Sequence, residues 1–369
     1  MIMNSEAKIR YNRHLILDGV GLAGQERLMA ARVLVIGAGG LGCPILSYLT
    51  AAGVGRIGIV DFDEVDKSNL QRQVLFRTED IGKNKASAAS KHLQALNPLV
   101  TFDAIEERLS NQNALDLFEQ YDIIIDGTDN FSTRYLINDA AVITFRPLVY
   151  GSIYKFQGQV SVFNYKQGPS YRCLFPEPPK PGQIKNCSEI GVIGVLPGII
   201  GTQQANEAIK LILGIGEPLS GKLLIYDALN ASSTVLKVDR NEATIKKVID
   251  QKADFLTFDY DRFCGMNTKI ESDQIDPQDF SDLLNDGDHL IVDVRELWEV
   301  PELIGDNVLQ LPIDELKAKI ETLQTVKKIV LVCQSGVRSK QIKEYLETTY
   351  KMNNLFELAG GINALKDLT

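Results

Sequence analysis

The chain has 369 residues, 44% hydrophobic and 24% charged; that length suits two or three domains, and that composition excludes collagen-like and disordered chains. Its net charge of −9, from 39 Lys and Arg against 48 Asp and Glu, argues against broad binding to nucleic acid or anionic membranes. No apolar run reaches the roughly 18 residues of a membrane span, and residues 1–31 hold no secretion-signal core, so a soluble cytoplasmic protein is expected.

The first 250 residues alternate short apolar runs with helical patterns, the sign of a parallel sheet covered by helices. Residues 32–37, 56–61 and 121–126 read as buried strands, and 41–52 and 85–96 as helices, the second stopped at Asn97-Pro98. Over 147–164 the period shortens to strand alternation around a Gly-containing turn, a hairpin. Residues 174–189 carry four prolines and no apolar period, a long loop of the kind that is usually functional. A helix follows over 198–213 and further strands over 222–249. An acidic, aperiodic linker at 250–269 then separates a domain of 1–249 from one of 270–369. The latter reads as helix 277–286, strand 289–293, helix 313–323, strand 328–333, helix 337–349 and strand 354–358, a compact α/β unit.

Gly37, Gly39, Gly40 and Gly42 fit G-x-G-x-x-G with the spacing intact, after a strand and opening a helix. Glycines there allow close backbone approach, and the helix start offers free N–H groups to a phosphate. Asp61 ends the next strand, 19 residues after Gly42, where a carboxylate can bind ribose hydroxyls. The glycine turn and Asp61 alone would suit an NAD-linked oxidoreductase. Past Asp61, however, come Ser68, Asn69, Leu70, Gln71, Arg72 and then Lys85. Two cations beside such a turn suit a triphosphate and the charge that grows on leaving pyrophosphate. Asp129 and Asn130 follow a strand end, and a carboxylate there can hold Mg²⁺ against phosphates. Taken singly, Arg72 or Lys85 is an ordinary surface charge; their joint placement is the signal.

The tracts 10–13 (RYNR), 37–42 (GAGGLG), 68–73 (SNLQRQ), 127–130 (GTDN) and 171–179 (YRCLFPEPP) resemble the MoeB/ThiF/HesA family, the ubiquitin-activating-enzyme-like adenylyltransferases, over about 5–240. The resemblance implies a Rossmann-like α/β domain. It implies an enzyme that uses ATP and Mg²⁺ to adenylate the C-terminal Gly-Gly carboxylate of a ubiquitin-like sulfur-carrier protein. It also implies that Gly40 lies against the nucleotide, Asp61 binds ribose, and Asn69, Arg72 and Lys85 hold phosphates. Asp129 would bind Mg²⁺ and face the attacking carboxylate, with Asn130 beside it. Arg13 would reach the nucleotide of a neighbouring subunit, hence a homodimer.

The five cysteines, Cys43, Cys173, Cys187, Cys264 and Cys333, form no close pair, so single thiols are expected rather than disulfides. Cys187 lies in the Pro-rich loop among polar residues, where Lys185 can favour a thiolate. Its position resembles that of the family's acyl-accepting cysteine; transfer through Cys187 and direct attack on the adenylate both stay open. Where relatives carry two C-x-x-C pairs for zinc, this chain has Ser170 ahead of Cys173 and a solitary Cys264, so no zinc site is expected.

Cys333 stands apart. A strand runs into 333–339 (CQSGVRS) and a helix follows, aiming backbone N–H groups at one sulfur, with Arg338 adding charge. Together with 293–296 (DVRE) and 358–364 (LAGGINA), the loop resembles a rhodanese domain over about 270–369. Four residues separate Cys333 from Arg338, as in sulfurtransferases. The tract 301–306 (PELIGD) departs from the usual one. The resemblance implies a Cys333 persulfide, loaded from a persulfide donor such as a cysteine desulfurase or thiosulfate. The expected whole is an adenylyltransferase fused to a sulfurtransferase that gives a carrier thiocarboxylate. The alternatives are an NAD-binding oxidoreductase and a non-catalytic ATP-binding scaffold whose rhodanese domain only binds partners.

Overall fold

A computed structural model describes residues 3–179, 191–265, 273–284 and 288–366, apart from the side chains of Lys317 and Lys366. They form two compact units, one up to residue 264 and one from 265 onward.

The first unit is built on β1 (Arg32–Ile36), α1 (Gly42–Ala52), β2 (Arg56–Val60), α2 (Lys85–Leu96), β3 (Thr101–Ile105), β4 (Ile123–Asp126), α3 (Phe131–Ile143), β5 (Leu148–Tyr154), β6 (Gln157–Phe163), α4 (Val195–Leu213), β7 (Lys222–Asp227), β8 (Ser232–Lys237) and α5 (Glu242–Asp250). The strands make one eight-stranded sheet in the order β3-β2-β1-β4-β5-β6-β7-β8. β1 to β5 run parallel, and β6, β7 and β8 add antiparallel. Central strands bury both faces: Val33 and Val35 enter one core while Leu34 and Ile36 enter the other. Each such side chain contributes about 2 kcal/mol by leaving water, which is why these runs are uninterruptedly apolar.

Three expectations change here. The hairpin turn is Lys155-Phe156, with Lys155 at φ 53° and the glycines of the segment inside the strands. Residues 242–250 are helix, not strand, with Asn241 capping Thr244 and Ile245 and Val248 buried. Residues 252–264 are no free linker. They form short helical turns whose Phe255 and Tyr260 are buried in the first unit's core. Asn111 Nδ2 donates to the Phe255 and Phe258 carbonyls at 2.5 and 2.9 Å, and Tyr260 OH to Asp139 at 2.9 Å. Two aromatic anchors worth about 2–3 kcal/mol each outweigh the acidic composition that suggested a solvated segment.

The second unit holds β9 (Gln274–Ile275), α6 (Pro277–Leu283), β10 (Leu290–Asp293), β11 (Val308–Gln310), β12 (Ile329–Val332), α7 (Val337–Tyr350), β13 (Leu355–Leu358) and α8 (Gly361–Lys366). Its five strands are all parallel, ordered β11-β10-β12-β13-β9. β12 sends Ile329 and Leu331 to one face and Val330 and Val332 to the other. The expected helix over 313–323 is broken by a 3-10 turn at Lys317–Lys319.

Candidate active sites

In the first unit, β1 and β4 are neighbours although β2 and β3 lie between them in the chain. A crevice at the carboxyl ends of two such strands is where open α/β sheets bind ligands. The turn after β1 is unusually tight. A Cβ on Gly42 would sit 2.1 Å from the Gly37 carbonyl oxygen, and one on Gly37 would sit 2.9 Å from that of Gly127. The two strand-end loops therefore touch backbone to backbone, which only glycine permits. Between them opens a cleft of about 180 Å³.

Asp61 is fixed on the cleft wall by two backbone donors, Ala38 N–H at 2.7 Å and Asp63 N–H at 3.0 Å. Burial pushes its carboxyl above the ordinary range, partly opposed by Lys85 and these bonds. Lys85 is buried at the start of α2 and pairs with Asp63 at 2.9 Å. Arg72 and Gln73 line the cleft beside Gly40 and Gly39, and Gln73 Oε1 is buried without a hydrogen bond among the described residues. Asp129 is exposed at the mouth, and its carboxylate accepts no hydrogen bond among the described residues. Asn130 caps α3 through Thr133 N–H at 2.9 Å. Behind this loop, Asp126 receives Thr128 N–H and its hydroxyl at 2.9 and 2.6 Å, while Arg134 donates to the Thr128 carbonyl at 3.0 Å.

Gly37, Gly39, Gly40, Asp61, Arg72, Lys85, Asp129 and Asn130 thus meet in one cleft. Gly42 is not part of the lining; its missing Cβ is what lets the turn close on the Gly37 carbonyl. Ser68, Asn69, Leu70 and Gln71, expected at the nucleotide, do not line the cleft: Leu70 packs on the core, Ser68 and Gln71 are exposed, and the Ser68 carbonyl accepts from Arg72 at 3.2 Å. Arg13, exposed on Asn12–Leu15, does not line the cleft of its own chain. Phe62, Glu107, Arg108 and Arg134 also line it, and the sequence reading missed them. Arg108 lies over the Phe62 ring at 5.4 Å. Recognising β3 as a strand would have flagged Glu107 and Arg108 at its carboxyl end.

The thiols divide by environment. Burial pushes the Cys43 thiol up to about 12 and Cys264 up to about 11, as expected of packing residues. Cys173 Sγ accepts from the Ser170 and Asn241 amides at 3.3 Å. Among the described residues no group of three His, Cys, Asp or Glu is placed to hold a metal. Cys187 lies outside the described residues.

Cys333 sits at the end of β12, fully buried, its sulfur 3.3 Å from the Ser339 N–H and 3.4 Å from the Ser339 hydroxyl. Gly336, at φ 81°, turns the chain into α7. Gly361 packs so closely under the loop that a Cβ there would stand 2.4 Å from the Cys333 carbonyl and 2.6 Å from the Gly336 nitrogen. Arg295, wholly buried, forks onto Asp293 and also donates to Gln334 Oε1 at 3.1 Å and the Pro301 carbonyl at 2.8 Å. The 293–296, 333–338 and 358–364 tracts therefore meet around one sulfur. Arg338, for its part, forks onto Glu299 at 2.6 Å on both arms.

The ThiF family profile matches residues 11–247 and the rhodanese-like domain profile residues 276–368. A Thermus thermophilus protein named sulfur carrier protein adenylyltransferase is 54% identical over 70% of this chain and 96% of its own length. The probable adenylyltransferase/sulfurtransferase MoeZ of Mycobacterium tuberculosis is 43% identical over 98% of this chain and 93% of its own. Adenylyltransferase and sulfurtransferase MOCS3 of Anopheles gambiae is 38% identical over 98% and 87%. Among solved structures, E. coli MccB with MccA-N7isoASN superposes with a TM-score of 0.56 at 21% identity, over 64% of this chain and 74% of that one, which speaks to fold alone. The chain belongs to the ThiF family, here joined to a rhodanese-like domain, and is an ATP-using adenylyltransferase and sulfurtransferase.

Proposed function

We propose that the cleft of the first unit adenylates the C-terminal Gly-Gly carboxylate of a ubiquitin-like sulfur carrier, and that Cys333 supplies the sulfur for a thiocarboxylate. The observation that carries the first half is the gathering of Arg72, Lys85 and Asp129 around a glycine turn that leaves room for phosphates. A carboxylate oxygen attacks the α-phosphorus, the new C–O–P bond forms, and pyrophosphate leaves with the electron pair. Alignment and charge neutralisation are what the site must provide. Asp129 fits an oxygen-seeking cation, being exposed in the cleft and free of competing donors among the described residues; Mg²⁺ held there would draw charge from the phosphates. Arg13 supports a homodimer in which each copy completes the other's cleft. An NAD-linked reading leaves Arg72 and Lys85 without a task.

In the second half, a persulfide on Cys333, loaded from a cysteine desulfurase or thiosulfate, attacks the acyl carbon and AMP leaves. A second thiol then attacks the Cys333 sulfur, releasing the thiocarboxylate and leaving a disulfide for an external thiol to reduce. The test of adenylation is ATP–pyrophosphate exchange by the full chain with a ubiquitin-like protein ending in Gly-Gly. Exchange that needs this protein, and is lost when its last glycine is removed, is expected. Exchange indifferent to it would refute the assignment.

A further inference from the structure

We propose that Glu299 sets the sulfur donor: by holding both arms of Arg338 it favours sulfur delivered on an organic persulfide over a dianion such as thiosulfate. This rests on the persulfide reading of Cys333. Both Glu299 carboxylate oxygens accept from Arg338, each at 2.6 Å, with the two side chains 22% and 16% exposed. A pair this shielded is held far more firmly than a solvated one.

The carboxylate is also set in place by its own turn. Glu296 N–H donates to Glu299 Oε1 at 2.9 Å, and Glu299 N–H returns to the Glu296 carbonyl at 3.0 Å. Gln310 holds that same carbonyl at 3.2 Å, and Arg295 holds the Pro301 carbonyl at 2.8 Å. The other guanidinium under the loop, Arg295, forks onto Asp293. An arriving dianion must therefore displace Glu299 from Arg338, and uncompensated charge in a shielded site is costly.

An organic persulfide makes no such demand. The Cys333 thiolate attacks the outer sulfur of R–S–SH, the new S–S bond forms, and the donor's own S–S bond breaks. R–S leaves as thiolate with the electron pair, and the proton stays on the new persulfide. With thiosulfate the same attack must expel sulfite, a second dianion calling for the same cation. The turn that carries Glu299 exposes Leu297, Trp298 and Val300, apolar ground that suits the organic part of a donor.

The experiment uses the full chain without ATP or carrier. It follows transfer from glutathione persulfide or thiosulfate through Cys333 to cyanide, with Trp298 emission as the check on the turn. Glu299→Gln keeps the shape and removes the charge. It should raise the thiosulfate-to-persulfide ratio of kcat/KM by about tenfold or more, chiefly through a lower KM for thiosulfate, and Glu299→Asp should return the ratio towards wild type. A ratio unmoved in Glu299→Gln, or both donors slowed equally, overturns the proposal. Independently of any variant, excess sulfate should leave persulfide loading of the wild-type chain within about twofold; strong competition also overturns it. Loading that persists in Cys333→Ala would instead sink the persulfide reading beneath it.

Discussion

The cleft and the thiol loop solve the same problem, holding negative charge in place, by opposite means. The cleft gathers residues far apart in the chain, from Ile36 to Val192, and stands open. The thiol loop is one contiguous turn from Cys333 to Arg338, braced by Arg295 and Gly361, with its sulfur fully buried. Their cations differ likewise: Lys85 is paired with an exposed carboxylate, Asp63, whereas Arg338 is locked to a shielded one, Glu299. A dispersed site tolerates loose partners because substrate phosphates can replace them. The buried loop instead keeps a fixed counter-charge, which a separate segment brings to it.

The sharpest break in this comparison is Cys333→Ala. It should abolish sulfur transfer to cyanide while carrier-driven ATP–pyrophosphate exchange stays within about twofold; loss of both activities together would mean that the units do not work separately. The converse should follow from Arg72→Ala and Asp129→Ala, each lowering exchange about 10²–10³-fold, as for other charge-stabilising groups, while persulfide loading of Cys333 holds. Arg295→Ala strands Asp293 in the core. It should destabilise the second unit by about 3–5 kcal/mol in hydrogen exchange, with protection of β1 and β4 unmoved. The smallest effect concerns Asp61. Because its pKa is raised, the ionised acceptor is lost at a higher pH than an ordinary carboxylate's as the solution is acidified. ATP affinity should fall a few-fold, on the order of one hydrogen bond, through that range, and Asp61→Asn should flatten the profile.

Legibility followed the same divide. The thiol loop could be read almost whole, since Cys333, Gly336 and Arg338 are neighbours in sequence and the strand before them is continuously apolar. What sequence withheld was Glu299, 39 residues away from Arg338, since nothing in ELWEV announces a partner. In the cleft the glycine turn, Asp61 and Lys85 were legible from spacing. Glu107 and Arg108 were not, because β3 (TFDAI) lies at the sheet edge with no fully buried residue and too little apolar pattern. β9 and β11, two and three residues long, carry no period at all. The 252–264 segment misled because two buried aromatics outweigh its acidic composition.

The most direct test follows one sulfur atom. The full chain is loaded with ³⁵S-persulfide on Cys333, freed of donor, and mixed with ATP, Mg²⁺, a reducing thiol and a ubiquitin-like protein ending in Gly-Gly. We predict label on that protein's C-terminus, with the mass change of one oxygen replaced by sulfur, in stoichiometric yield and only with ATP. Label that stays on Cys333 while the protein is adenylated would contradict the joining of the two chemistries in this chain.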